Sequence, residues 1–227
     1  MKRIFALVLS CLAGATLAAA PAGAPAPAFT ATDLAGKPVN LADYKGKTVV
    51  LEWHNFGCPF VQKHYRSGNM QALQRKYGSD VVWLAVNSTH KSSSDYTEPA
   101  RLSSQLQGAN ASPARYLMDE PGTIGMAYGA KTTPHMYIID PAGKVVYNGA
   151  IDDKRSANVE DVKTAKNYVA AALDEMKAGP RPMDAASNTV EDHRLKKALT
   201  LALATLAILA AGCAPLSTQS QIGRAHV

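Results

Sequence analysis

Apolar residues follow two rhythms along this chain, and the change from one to the other marks its elements. Runs rich in β-branched and aromatic residues at 48–53 (TVVLEW) and 80–87 (DVVWLAVN) read as strands covered on both faces, the pattern of a parallel sheet, and residues 114–118 read as a third. Between the first two, Val61, Tyr65, Leu73 and Tyr77 keep helical spacing from Pro59 to Gly78, and Ser67-Gly68 predicts a break inside that helix. Upstream, residues 29–41 alternate apolar and polar positions about Ala35-Gly36, which predicts a short hairpin, and the turn Tyr44-Lys45-Gly46 leads into the first buried strand. Residues 131–140 and 144–150 flank the tight turn Pro141-Ala142-Gly143 and are expected to pair antiparallel.

The polar, serine-rich stretch 90–113 reads as a surface excursion beside the site, with a short helix at 99–107. A second short helix is predicted at 123–128. The last one spans 161–178, with Ala165, Val169, Ala172 and Met176 on one face and Gly179-Pro180 as its stop. Strands separated by helices, followed by a hairpin and a final helix, predict an α/β sandwich around a central mixed sheet flanked by helices.

The ends fall outside that pattern. Lys2 and Arg3, then an apolar run from Ile4 to Leu17, then small residues give residues 1–22 the layout of a secretory signal peptide, cleaved after Ala19 or Ala22, so a periplasmic or secreted protein is expected. The run is shorter than the ~20 apolar residues that span a bilayer. Pro21, Pro25 and Pro27 among alanines predict a stiff leader, 23–28, with nothing to pack, and a domain over 29–182. Residues 183–227 are read as a tail outside the domain. There, basic residues at 194–197, an apolar stretch 198–211 and Gly212-Cys213-Ala214 resemble a lipoprotein signal at the wrong end of a chain, and the closing IGRAHV resembles a translated sequencing adapter, so readthrough or assembly is expected to have joined the tail to the domain.

With 227 residues and 47% apolar composition, the chain holds one ordinary domain plus these ends. The net charge of +6 is less basic than it looks: Lys2 and Arg3 supply two, residues 187–227 net two (Arg194, Lys196, Lys197 and Arg224 against Glu191 and Asp192), and +2 remains between them. That gives no reason to propose a nucleic-acid partner, which needs a concentrated basic surface.

The chemistry centres on Cys58. Pro59 suits the first turn of a helix, where a missing N–H costs nothing, so Cys58 falls at the helix N-terminus, facing unpaired amides that stabilise a thiolate. Cys11 lies in the apolar run and is expected to leave with it; Cys213 lies in the tail.

Cys58 at a strand-to-helix turn, Thr133-Pro134 before a strand, the IIDPAGKVVYNG hairpin and the closing helix together resemble the redoxin branch of the thioredoxin-like superfamily over about residues 29–180. The resemblance implies a thioredoxin-like fold, a redox-active Cys58 and a cis-proline loop at Thr133-Pro134 lying against the sulfur. Two positions depart from that pattern. Thioredoxins and their secreted reductase relatives carry a second cysteine where this chain has Val61, so CPFV closes no local disulfide. Typical peroxiredoxins carry threonine where this chain has Asn55, whose amide can donate to a thiolate or a peroxide.

His54, Lys63, His64, Arg66 and His135 flank these positions as possible modulators, with most such helix residues expected at the solvated surface. The expected function is a thiol-based oxidoreductase without cofactor, in which Cys58 reacts with a peroxide or disulfide and is restored by an external thiol or a thioredoxin-like partner protein. The alternative is a non-catalytic module binding a client peptide, or Cu(I) held by Cys58 with two of His54, His64 and His135, though no metal-ligand spacing supports the latter.

Overall fold

The computed structural model describes residues 20–179. The alternation about Gly36 folds as a hairpin, β1 (Thr30–Asp33) against β2 (Pro38–Asn40), with Gly36 at φ +75° in the turn. A short 3-10 helix, Leu41–Tyr44, leads to β3 (Thr48–Trp53). The predicted break is real: α1 (Pro59–Arg66) and α2 (Asn69–Tyr77) meet at Ser67-Gly68, where Gly68 takes φ +77°. Then follow β4 (Val81–Asn87), α3 (Pro99–Gly108), β5 (Arg115–Met118), α4 (Thr123–Tyr128), β6 (His135–Ile139), β7 (Val145–Gly149), a 3-10 helix Val159–Lys163 and α5 (Tyr168–Lys177).

The seven strands form one mixed sheet in the order β2-β1-β5-β4-β3-β6-β7. β3 is an interior strand, parallel to β4 and antiparallel to β6, which is why its run needs apolar cover on both sides. Its alternate residues feed two cores. Val49, Leu51 and Trp53 pack with Leu84, Val86, Tyr128 and Tyr137 on one face. Val50 packs on the other with Ile138 and with Val61, Tyr65, Leu73, Val169 and Leu173 from α1, α2 and α5. Each such side chain contributes about 1.5–3 kcal/mol on burial, so the sheet holds the β3 terminus firmly in place.

Two expectations are corrected. The last helix starts later than predicted: residues 159–163 make a 3-10 turn, and Asn167 caps α5 by accepting from the Ala170 N–H at 2.8 Å. Its buried positions are Val169 and Leu173, with Ala172 and Met176 only partly covered. The leader also packs. Gly23 and Ala26 donate main-chain bonds to Val145 and Gly143, Ala20 is buried and bonded to the Tyr128 carbonyl, and the Pro27 carbonyl accepts from the Tyr128 hydroxyl. Small residues let the leader lie close to β7, and its free main-chain groups find partners there. The first unit ends at Ala178; the second, Gly179–Val227, lies outside the described residues apart from Gly179, as do residues 1–19, so the signal-peptide and tail expectations fall largely outside them.

Candidate active site

After β3 the chain turns through residues 54–58. Asn55 closes this turn: its Oδ1 accepts from the Gly57 N–H at 2.7 Å and its main-chain carbonyl from the Cys58 N–H at 3.0 Å, while its Nδ2 donates to Thr89 Oγ1 at 3.3 Å. A Cβ at position 57 would stand 3.1 Å from that Oδ1, so glycine fits without adjustment. Thus Asn55, expected as a donor to the reacting sulfur, holds the turn through Gly57 and Thr89. Cys58 is the N-cap of α1, with extended φ −78° and ψ 123°, and its carbonyl accepts the first helical bond from Gln62. Pro59 at the first helical position makes no demand for a lost donor. The half-buried Sγ donates to the Thr133 carbonyl at 3.0 Å, and the Thr133–Pro134 bond is cis, as the resemblance implied.

The flanking residues are less exposed than expected. Lys63 and His64 are buried on α1, while Arg66 is exposed. The Lys63 ammonium donates to both Asp152 oxygens, at 3.1 and 2.8 Å, and to the Lys154 carbonyl at 3.0 Å. His64 Nδ1 accepts from Asn69 Nδ2 at 2.9 Å, which leaves the ring proton on Nε2, 3.8 Å from Asp152. Sequence periodicity missed this cluster because Asp152 joins it from the segment after β7, 89 residues on. His135 also points elsewhere: Nε2 meets Asn148 at 2.8 Å and Nδ1 accepts from the Lys131 N–H at 3.4 Å. With His54 held on the Tyr116 hydroxyl at 2.9 Å, the three imidazoles sit in separate settings, and no group of three metal-ligating side chains forms among the described residues.

One carboxyl escaped the sequence reading, although it was visible as the lone charge in TVVLEW. Glu52 is fully buried on β3 and accepts from the Trp83 indole at 2.8 Å and from the Tyr65 hydroxyl at 3.0 Å. Burial raises its pKa to about 7, against those two hydrogen bonds, which favour the anion. Burial pushes His54 the other way, down to about 3, and holds His64 at about 4 despite the attraction of Asp152.

These three groups carry the largest shifts behind the pH profile, and burial lowers His135 in the same sense as His54 and His64. Below pH 6.5 the unfolded chain protonates His54 and His64 while the folded protein does not, so stability falls with acid. Glu52 acts in the opposite sense: the fold keeps its proton between pH 4.5 and 7 and the unfolded chain does not, so its contribution is lost as pH rises. The net expectation is a maximum near pH 6.5 and a loss of about 3 kcal/mol on going to pH 4.5. Glu52→Gln removes the opposing proton and steepens that loss to about 5 kcal/mol. Urea unfolding at the two pH values checks both figures; equal stability at pH 6.5 and 4.5 contradicts them.

Val61 occupies the first turn of α1 and is 1% exposed. Three residues along a helix lie within the Cα separation a disulfide spans, ~4.4–6.8 Å. Val61→Cys is therefore expected to form an internal disulfide with Cys58 on mild oxidation, read as loss of both thiols on the peptide of residues 48–63. Two free thiols after oxidation would show that the turn cannot bring the sulfurs together.

Beside the thiol opens a cavity of about 720 Å³, lined by Phe60, Lys63, His64, residues 132–134, Ala150, Ile151, Asp152, Lys154 and Arg155. Phe60, two residues beyond Cys58, is 44% exposed.

The family model described as Redoxin matches residues 21–167. The thiol-disulfide oxidoreductase ResA of Bacillus thuringiensis subsp. konkukian (strain 97-27) is 29% identical over 127 residues, which cover 55% of this chain and 66% of that protein, so the chain spans just under two thirds of this relative's length. The probable glutathione peroxidase 8-B of Xenopus laevis is 28% identical over 140 residues, covering 52% of this chain and 62% of its own. Among solved structures, an uncharacterized conserved protein of Geobacillus kaustophilus superposes with a TM-score of 0.56 at 29% identity, covering 63% of this chain and 79% of that one.

Proposed function

Because this chain belongs to the redoxin family, we propose that it is a thiol-dependent oxidoreductase in which Cys58 attacks a disulfide and is returned to the thiol by an external thiol. The observation that carries this is the placement of Cys58: its Sγ stands at the N-terminus of α1 against the Thr133 carbonyl, and residues 20–179 hold no second cysteine. Attack of the thiolate on R–S–S–R gives the mixed disulfide Cys58–S–S–R and releases RS⁻; attack by a second thiol R′–SH then frees the Cys58 thiol and leaves R–S–S–R′. Peroxide reduction through a sulfenic acid is the finer alternative. Disulfide exchange is preferred, because the Asn55 Nδ2 donates to Thr89 Oγ1 while the hydrogen bond of the sulfur goes to the Thr133 carbonyl. The signal-like layout of residues 1–22 supports a periplasmic or secreted setting, with a small thiol or a thioredoxin-like protein as reductant.

The test follows a quenched peptide disulfide with the full chain carrying Cys11→Ser and Cys213→Ser. Pre-reduced protein alone should cleave one equivalent and stop, and added 2-mercaptoethanol should support repeated cleavage above its own background rate. No cleavage in either case, or continued cleavage without thiol, would overturn the assignment.

A further inference from the structure

The exchange reaction at Cys58 makes no use of the charged cluster beside it. We propose that the 720 Å³ cavity binds the carboxylate-bearing half of a low-molecular-weight disulfide, the reaction partner of Cys58; this rests on the exchange function above. Position comes first. Thr133 and Pro134 line the cavity, and the Thr133 carbonyl receives the Sγ–H, so a group seated there would place its sulfur next to the thiol. Size agrees as well, since small-molecule sites run ~300–1,000 Å³.

Charge then selects the occupant. Asp152 is the one acidic residue lining the cavity among the described residues, and its carboxylate is consumed by the buried Lys63 ammonium and by the Lys154 N–H at 3.0 Å. That pair is neutral in sum. Lys154 and Arg155 stand exposed at the rim without an ion pair among the described residues, and a guanidinium matches a carboxylate with two parallel hydrogen bonds. The apolar side chains of Phe60 and Ile151 cover the stem of the ligand. In the reaction the Cys58 thiolate forms a bond to the seated sulfur, the S–S bond breaks, and the departing half leaves with the electron pair as RS⁻ while Cys58 and the retained half become the mixed disulfide.

The experiment measures adduct formation on the tryptic peptide of residues 48–63 from the full chain, using 3,3′-dithiodipropionate, bis(2-hydroxyethyl) disulfide and cystamine. Each rate is divided by that of the same disulfide with a free model thiol. The expected order is anionic, then neutral, then cationic, with about tenfold between the extremes at low salt and less at 0.5 M salt. Lys154→Glu with Arg155→Glu should reverse the order of the anionic and cationic disulfides. Equal normalised rates, or an order that survives charge reversal, would overturn the site while leaving exchange at Cys58 intact. Failure of even the neutral disulfide to modify Cys58 would overturn the exchange function and this site with it. Reaction with a protein disulfide but none of the three small ones would assign the groove to a peptide instead.

Discussion

Cys58→Ser is expected to lower thiol-dependent disulfide cleavage by about a thousandfold or more, to the background of the added thiol. The thiolate is the nucleophile in exchange, and a serine hydroxyl neither ionises near neutral pH nor leaves from a mixed disulfide. The fold should be untouched, because a hydroxyl can make the same bond to the Thr133 carbonyl that Sγ makes. Unchanged thermal stability alongside lost turnover separates chemistry from unfolding. A serine variant that keeps full activity would move the reaction away from this residue altogether.

Asp152→Ala should cost about 3–5 kcal/mol, or about 10 °C in Tm. The substitution strands the Lys63 ammonium, 1% exposed, with only the Lys154 carbonyl and no counter-charge. Removing both charges is a different experiment. Lys63→Met with Asp152→Leu leaves no buried ion behind, so it should recover most of that loss. Urea denaturation of the two variants distinguishes them; equal destabilisation would mean that shape, and not the stranded charge, governs the site. The ion pair also ties α1 to the segment after β7, so Asp152→Ala should loosen the cavity next to the thiol.

Much of this was legible in the residue pattern because it depends on local rules. The break at Ser67-Gly68, the hairpin about Gly36 and the position of Cys58 beside Pro59 follow from glycine, proline and periodicity within a few residues. What stayed hidden depends on contacts between elements far apart in the sequence. Lys63 and His64 looked like helix surface until Asp152 arrived from another element, and the prolines of the leader gave no sign that β7 would offer them a partner strand. The start of α5 was misplaced for a related reason. Ala165 continues the helical spacing, but Asn167 caps the helix and is bridged to Asp152, an interaction with no trace in the local pattern. Glu52 was the missed local signal: a single carboxyl in an apolar strand must find donors or take a proton, and here it does both.

The most direct measurement is the mass of the peptide of residues 48–63 during turnover, quenched with acid at successive times. A Cys58 adduct that forms with one equivalent of disulfide and disappears at the turnover rate when thiol is added is the predicted result. Sustained turnover with that peptide always recovered as the unmodified thiol would contradict it.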